Sequence, residues 1–300
     1  MAAENQWAVA IHGGAGVIDR SMGPEEASIR LQHLDEVIRQ ARRSAAAGAA
    51  AVDLVEEAVT QLEEISEFNA GRGAVLAADG THELEAAIMD GFHAACGGVC
   101  LLKTIRNPIR LARRVMDQSP HVLLAGGAAE VMAEGLERVK NDWFTTPMRQ
   151  DQWKRWSATE QAADAKGPAT VGAVARDHMG HLAAATSTGG RTGKPPGRIG
   201  DTPTIGAGTW ADQTCAISGT GHGEAFMAAV TGHAVSARMR FLKEGLEEAA
   251  RAVIDQDMPS GSGGLISVDA SGRIAMPYNC EGMYRAAADS SGHLEVAIWN

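Results

Sequence analysis

Basic runs, long apolar runs, cysteines and aromatic rings are what this sequence has least of, and each scarcity excludes something. Lys and Arg never gather into more than a pair, as at Arg42-Arg43 or Arg113-Arg114, and the formal charge over 300 residues is −10. A polyanion-binding face is not expected, so nucleic acid is discounted as a partner. No stretch approaches the ~20 apolar residues of a membrane span, and the opening residues lack the basic-then-apolar pattern of a secretory signal. The expectation is a cytoplasmic protein without a membrane partner. Of four cysteines, Cys96 and Cys100 make one Cys-x-x-x-Cys, with no second pair or nearby His-x-x-x-His to complete a zinc site. They read, with Cys215 and Cys280, as reduced core thiols.

What is abundant is small. A hydrophobic fraction of 45% with 35 glycines, but only six Trp, five Phe and two Tyr, implies a core of closely approaching layers and many tight turns. The length suits one large domain. Helical spacing runs from Pro24 to Ala47, with Gly48 as a stop, and a second helix carries Leu54, Val55, Ala58, Val59 and Leu62, with Asp53 and Glu56 resembling a capping box. Strands are expected at 7–11, 74–76, 84–89, 97–102, 122–125, 215–218, 265–268, 273–275 and 296–298. Helices are expected from Pro108, over 128–139, and over 225–243 and 246–254. Helices and strands follow one another without strict alternation, which favours layers of antiparallel sheet and helix over a dinucleotide-binding fold. Residues 140–169 lose all periodicity and read as a long connection.

Several stretches carry chemistry. Val171 to Ala175 and Leu182 to Ala185 read as a hairpin turning at Asp177-His178-Met179-Gly180, which sets Thr170 opposite Ser187 or Thr188. Read alone, this is a cross-strand hydroxyl contact. His12-Gly13-Gly14-Ala15-Gly16 reads as a glycine turn after a strand; it lacks the spacing of a nucleotide-binding loop, and His12 reads as a structural histidine. Arg198 and Asp201 suit either a surface ion pair or a guanidinium and carboxylate that recognise an amino-acid backbone. Gly219-Thr220-Gly221-His222-Gly223 joins a strand to a helix, where backbone N–H groups can stabilise an anion. The loop from Glu63 to Gly73 can turn carbonyl oxygens toward a cation.

Taken together, His12-Gly13-Gly14-Ala15-Gly16, Phe68-Asn69-Ala70-Gly71, Met89-Asp90-Gly91, Asn107-Pro108, Thr170 to Ala175, Ala185 to Gly190, Pro196 to Asp201 and Asn279 to Arg285 resemble, in this order, the plant-type L-asparaginases. These are also called isoaspartyl (β-aspartyl) peptidases, and they are N-terminal-nucleophile hydrolases. The resemblance spans nearly the whole chain. It implies an α+β, four-layer αββα sandwich, made as one precursor and cut between Ala169 and Thr170. Residues 1–169 would form an α part ending in a linker (140–169), residues 170–300 a β part, and two αβ pairs would associate as a dimer.

By the same resemblance Thr170 is the nucleophile, its freed α-amine the base, and Thr188 its orienting partner. Arg198, Asp201 and Gly223 hold the substrate, and Thr220 and Gly221 supply the oxyanion hole. No catalytic cofactor is implied. A structural sodium ion is, on the carbonyls of Leu62, Glu63, Ile65, Phe68, Ala70 and Arg72. The implied activity is hydrolysis of L-asparagine to aspartate and ammonia and of isoaspartyl dipeptides. A glycosylasparaginase-like amidase, a threonine protease, and a poorly processed precursor with a binding role stay open as alternatives. Departures from the family pattern are Pro168-Ala169 before the nucleophile, where Gly is usual, Gly193 in place of Asn and Gly219 in place of Cys. The first would slow processing; the other two, expected to line the site, would shift substrate preference.

Overall fold

The computed structural model describes residues 6–159 and 170–299. In chain order the elements are β1 (Ala8–Gly16), α1 (Pro24–Ala46), α2 (Ala51–Glu64), β2 (Leu84–Asp90), β3 (Ala95–Leu102), α3 (Pro108–Gln118), β4 (Leu123–Ala125), α4 (Gly126–Glu130) and α5 (Pro147–Thr159), with a 3₁₀ turn at Asn141–Phe144 before α5. After residue 170 come β5 (Val171–Arg176), β6 (Leu182–Thr188), β7 (Thr209–Ala211), β8 (Cys215–Gly221), α6 (Gly223–Ala229), α7 (Thr231–Ala237), α8 (Leu246–Ala252), β9 (Gly263–Asp269), β10 (Ile274–Ala275), β11 (Gly282–Asp289) and β12 (Leu294–Ala297). Among these residues the strands make an eight-stranded sheet, ordered β12-β11-β1-β5-β6-β2-β3-β4, and a four-stranded sheet, ordered β10-β9-β8-β7. All pairs are antiparallel except β3 with β4.

Alternation along each strand sorts side chains into three apolar layers. Val9 and Ile11, Val171, Ala173 and Ala175, and Ala183 and Ala185 face α1, α2 and α3. Ala8, Ala10, Val174, Ala184, Ala216, Ile266 and Val268 fill the space between the sheets. Cys215, Ile217 and Leu265 face Phe226, Val235, Ala249 and Val253 on the far side of the smaller sheet. The result is helix, sheet, sheet, helix. The middle layer is alanine-rich, so the sheets approach closely, as the low aromatic content implies. No helix among the described residues is long and apolar enough to cross a membrane.

Some expectations give way. The glycine stretch after His12 is not a turn: it continues β1 to Gly16, with the register to β11 slipping between His12 and Gly14. Gly13 sits at that bulge against the Phe68 ring. Asp53 caps nothing; α2 starts at Ala51, whose N–H donates to Asp177 Oδ2 at 3.0 Å, so the carboxylate comes from the β5–β6 turn. Residues 74–76 form no strand: the Val75 N–H goes to the Asn69 side chain and the Leu76 carbonyl accepts from Gly193. The helix expected over 128–139 stops at Glu130, where the Glu130 carboxylate turns back to the Lys103 and Thr104 N–H groups. Within the expected linker, α5 is ordered and docked: Arg149 Nε donates to Gly73 O and Trp153 Nε1 to Ala77 O. It was illegible because these partners lie in distant loops. The helix expected over 225–243 breaks at Val230, which adopts φ 48°, while the one expected over 246–254 forms from Leu246 and runs on in a wider turn to Asp257. Strands β7 and β11 were not anticipated. All four cysteines are free thiols, with Cys100 and Cys215 buried and Cys96 and Cys280 half-buried.

A Cβ added at Gly13 would lie 2.4 Å from the Phe68 ring, which is itself fully buried. Gly13→Ala is expected to lower the unfolding free energy by about 1–3 kcal/mol through overpacking. Urea denaturation of the variant beside the parent checks this.

Candidate active site

The polar members of the middle layer mark the site. On β5, β6, β8 and β1 the same alternation that points alanines into this layer also points Gly172, Thr186, Ser218, Thr220 and His12 there. Thr170, next before β5, is 4% exposed, and its Oγ1 donates to Thr188 Oγ1 at 3.3 Å. The register pairs Val171 with Ser187, so Thr170 stands opposite Thr188. Thr188 Oγ1 also accepts the Gly190 N–H at 2.9 Å. On the other side, His12 Nδ1 lies 3.1 Å from the Thr170 carbonyl oxygen. Burial lowers the His12 pKa to about 3, against the opposing effect of that carbonyl, so the ring is neutral. Thr170 is therefore held by hydroxyl and carbonyl at once. Ala169 lies outside the described residues.

The turn after β6 is pinned from the helix side. Asn69 Nδ2 donates to Gly190 O at 2.8 Å, and Gly189 N donates to Asn69 O at 3.1 Å. Ser187, pointing away from Thr188, donates to Glu63 Oε1 at 2.6 Å. Burial of Glu63 raises its pKa to about 8, despite the hydrogen bonds from Ser187 and the Ile109 N–H. Beyond the turn, Lys194 folds under the loop. Its Nζ reaches Glu85 Oε1 at 3.1 Å and Glu83 O at 2.8 Å, with both charged side chains essentially inaccessible. Glu85 Oε2 then accepts the Gly200 N–H at 2.9 Å, and Glu83 Oε2 the Gly197 N–H at 2.8 Å. Glu85 is the register partner of Thr188. One strand position thus ties Thr188, the neighbour of Thr170, to the loop that carries Arg198 and Asp201.

Arg198 and Asp201 do not pair with each other. Arg198 Nε and Nη2 converge on Glu224 Oε1 at 3.1 and 2.8 Å, in the first turn of α6. Asp201 is 6% exposed, and burial raises its pKa to about 7. Its Oδ2 has no hydrogen-bond partner. Both side chains close on Gly223, where a Cβ would lie 2.7 Å from Asp201 Oδ1 and 2.9 Å from Arg198 Nη2. Gly223 contributes space. A buried carboxylate with an open valence beside a guanidinium can take an ammonium and a carboxylate on one carbon. Thr220 is buried and accepts the Ala15 N–H at 3.1 Å, which leaves its own proton to donate. Gly221 follows at φ 149°, packed so tightly that a Cβ would lie 2.0 Å from Ser262 O.

Gly219 does not line this site. It points to the opposite face of β8, where a Cβ would lie 2.6 Å from the Phe226 ring. Strand alternation between Ser218 and Thr220 was the signal that this would be so. Gly193, at φ 72°, carries the Trp156 ring of α5 against it and borders a cavity of about 200 Å³ shared with Arg198 and Glu224. Sequence reasoning gave no role to Asn69, Glu85, Lys194 or Ser218. A charged residue alternating with alanines in β2 was the available hint for Glu85.

In the 62–73 loop, Gly71 and Gly73 adopt φ 47° and 100°, and their missing Cβ atoms leave room for the Glu63, Ser66 and Phe68 carbonyls. The Leu62, Glu63 and Ile65 carbonyls accept N–H groups of Ile65, Arg72 and Phe68. Each oxygen keeps a second lone pair, and a neutral oxygen set of this kind fits a hard monovalent cation.

A hydroxyl nucleophile candidate heading a central strand between two facing sheets, with helices outside, defines the N-terminal-nucleophile hydrolase class. The model of the asparaginase family matches residues 5–298, and the chain belongs to that family. It is 45% identical to the isoaspartyl peptidase of Salmonella typhimurium, over 94% of this chain and 95% of that one. It is 44% identical to the isoaspartyl peptidase of Escherichia coli, over 93% and 91%. With the probable isoaspartyl peptidase/L-asparaginase 2 of Arabidopsis thaliana the identity is 39%, over 98% and 99%.

Lys194→Met would strand the Glu85 carboxylate without its countercharge. Removing one partner of such a buried pair costs about 3–5 kcal/mol. Chemical denaturation should show this loss, and Glu85→Gln in the same chain should recover part of it.

Proposed function

We propose that this chain hydrolyses the side-chain amide of L-asparagine and the β-aspartyl bond of isoaspartyl dipeptides, with Thr170 as nucleophile once the Ala169–Thr170 bond has cut itself. The observation that carries this reading is the double grip on Thr170, by Thr188 on Oγ1 and His12 on the carbonyl, at the head of β5. The names of its relatives point the same way.

In this mechanism the freed α-amine, with an ordinary pKa of about 7.7–8.0, takes the Oγ1 proton as Oγ1 attacks the amide carbon. The Thr220 hydroxyl and the Gly221 N–H meet the oxyanion. The amine returns the proton to the departing nitrogen, which leaves as ammonia or the second amino acid. The β-aspartyl ester on Thr170 is then opened by water, which gives up its proton to the same amine; the amine passes it to Oγ1 as the ester bond breaks, restoring the Thr170 hydroxyl and the free amine. Arg198 takes the substrate α-carboxylate, so Glu224 has to share or release its guanidinium. Asp201 takes the α-ammonium in the room left by Gly223. Carbonyls of the Leu62 to Arg72 set in the 62–73 loop would hold a sodium ion, and the ion would brace Asn69, whose contacts position Gly189-Gly190. Two αβ pairs associate as a dimer.

On a denaturing gel the mature protein should give two fragments, the smaller beginning at Thr170 by N-terminal sequencing. Thr170→Ala should remain one band and release no aspartate from asparagine or β-aspartyl dipeptides. An uncut chain that hydrolyses these substrates, or an active Thr170→Ala, would overturn the reading.

Asp201 adds a pH signature. With its pKa raised to about 7, the ionised form that binds an ammonium is present above neutrality and lost as pH falls through 7. The α-amine must also be unprotonated, so kcat/KM should fall on the acid side with a limiting dependence on two protons. Asp201→Asn should leave a one-proton dependence and a raised KM. Steady-state kinetics from pH 5 to 9 would separate the two profiles.

A further inference from the structure

Behind Thr170 runs a row of polar groups that the proposed chemistry does not consume. His12 Nδ1 lies 3.1 Å from Thr170 O, and His12 Nε2 lies 2.9 Å from Ser218 Oγ. Ser218 Oγ is 2.7 Å from Thr186 Oγ1, which is 2.8 Å from Thr209 Oγ1. His12, Ser218, Thr186 and Thr209 are all fully buried. The row joins both sheets, through β1 and β6 on one side and β7 and β8 on the other.

Proton counting gives the row a direction. A carbonyl oxygen only accepts, so His12 Nδ1 must carry the ring proton. The ring is neutral, so Nε2 is a bare acceptor and Ser218 must donate to it. Ser218 has then spent its single proton and must accept from Thr186. Thr186, which also faces Gly208 O at the longer distance of 3.3 Å, gives its proton to Ser218 and accepts from Thr209. Thr209 has one proton and two acceptors in reach, Thr186 Oγ1 at 2.8 Å and Thr202 O at 3.0 Å; with the Thr186 proton spent on Ser218, only the Thr209 proton can fill the shorter contact, and every proton then points toward the Thr170 carbonyl. Bonds aligned head to tail strengthen one another, and in a dry layer their geometry is costly to change. The packing enforces it too: a Cβ on Gly172 would lie 2.0 Å from Ser218 Oγ and 2.5 Å from His12 Nε2.

We propose that Ser218 and His12 are positioning residues for Thr170: Ser218, donating to Nε2, holds the Nδ1-protonated ring of His12 in place, and the Nδ1–H anchors the Thr170 carbonyl so that its hydroxyl and α-amine keep their place. The kinetic part rests on the reading of Thr170 as nucleophile; the tautomer does not. Neither residue touches substrate. Their effect falls on the turnover step, because the Arg198 and Asp201 contacts that set binding lie elsewhere.

The test combines nitrogen-15 NMR of the histidine rings with kinetics on the full, processed protein, the His12 signal being assigned by its loss in His12→Gln. The parent should show a protonated Nδ1 and an unprotonated, hydrogen-bonded Nε2. Ser218→Ala should leave Nδ1 protonated, move the Nε2 signal to that of a nitrogen without a hydrogen bond, and lower kcat about tenfold or more, with KM within about twofold, since small displacements of a reacting group have effects of this order. Thr209→Val, two bonds further back, should retain the tautomer and lower kcat less. Thermal melting within a few degrees of the parent would exclude general unfolding. A parent protonated at Nε2, or a Ser218→Ala variant with parental kcat and an Nε2 signal unchanged from the parent, overturns the proposal. Thr170→Ala keeps its main-chain carbonyl, so it should keep the tautomer while losing activity. If it stayed active with the tautomer unchanged, the nucleophile assignment would fail and the relay's fixed direction would stand.

Discussion

The approach of the two sheets at Gly172 is the constraint on which the rest of the site depends. Ser218 and His12 occupy the volume that any side chain at residue 172 would need, so the spacing of the layers there is set by contact between a bare backbone and two polar groups. At that spacing Thr170 can be reached from β1 and from the turn after β6 together. A wider gap would admit water to a layer whose alanines bury little area each, and the hydrogen bonds along it would compete with solvent. The alanine-rich interior therefore serves geometry as well as hydrophobic burial.

Around this narrow layer the charged groups are arranged in order of cost. Lys194 and Glu85 are buried and paired, with their remaining valences satisfied by backbone. Such a pair adds little net stability but tolerates few alternative positions, because losing either partner leaves a charge in a dry environment. Asp201 is buried without a hydrogen-bond partner for one oxygen, an unfavourable state that a bound cation would relieve. Arg198, nearer the surface, is occupied by an exposed carboxylate that solvent can replace. Rigid charges thus lie beneath the loop, and exchangeable ones lie at its surface.

Much of the frame was legible. The run Val171 to Ala175 and its return strand have apolar patterning on both faces, and the turn length narrowed the partner of Thr170 to Ser187 or Thr188, of which the β5–β6 register selects Thr188. The helices of the first layer carry strong periodicity. Less legible was anything decided by distant partners: the docking of α5 depends on Gly73 and Ala77, the start of α2 on Asp177, and the glycine run after His12 on pairing with β11. Gly219 shows the other kind of error, since adjacent strand residues face opposite layers and proximity in sequence to Thr220 says nothing about sharing a site. Lys194 was unreadable because a lysine in a glycine-proline loop is ordinarily solvated.

The order of strands in the larger sheet has a consequence for the life history of the molecule. β5 and β6, which follow residue 170, are inserted between β1 and β2, which precede residue 159. A chain interrupted anywhere between those points keeps its later strands hydrogen-bonded on both sides by earlier ones. It would hold together without a covalent tether, yet it could be formed efficiently only before the interruption, while the two parts are at each other's effective concentration. Unfolding such a nicked molecule is then a dissociation, and recovery becomes a second-order search between fragments. The topology makes the folded, interrupted state durable but hard to regain, so that its persistence is set by the rate of opening rather than by an equilibrium.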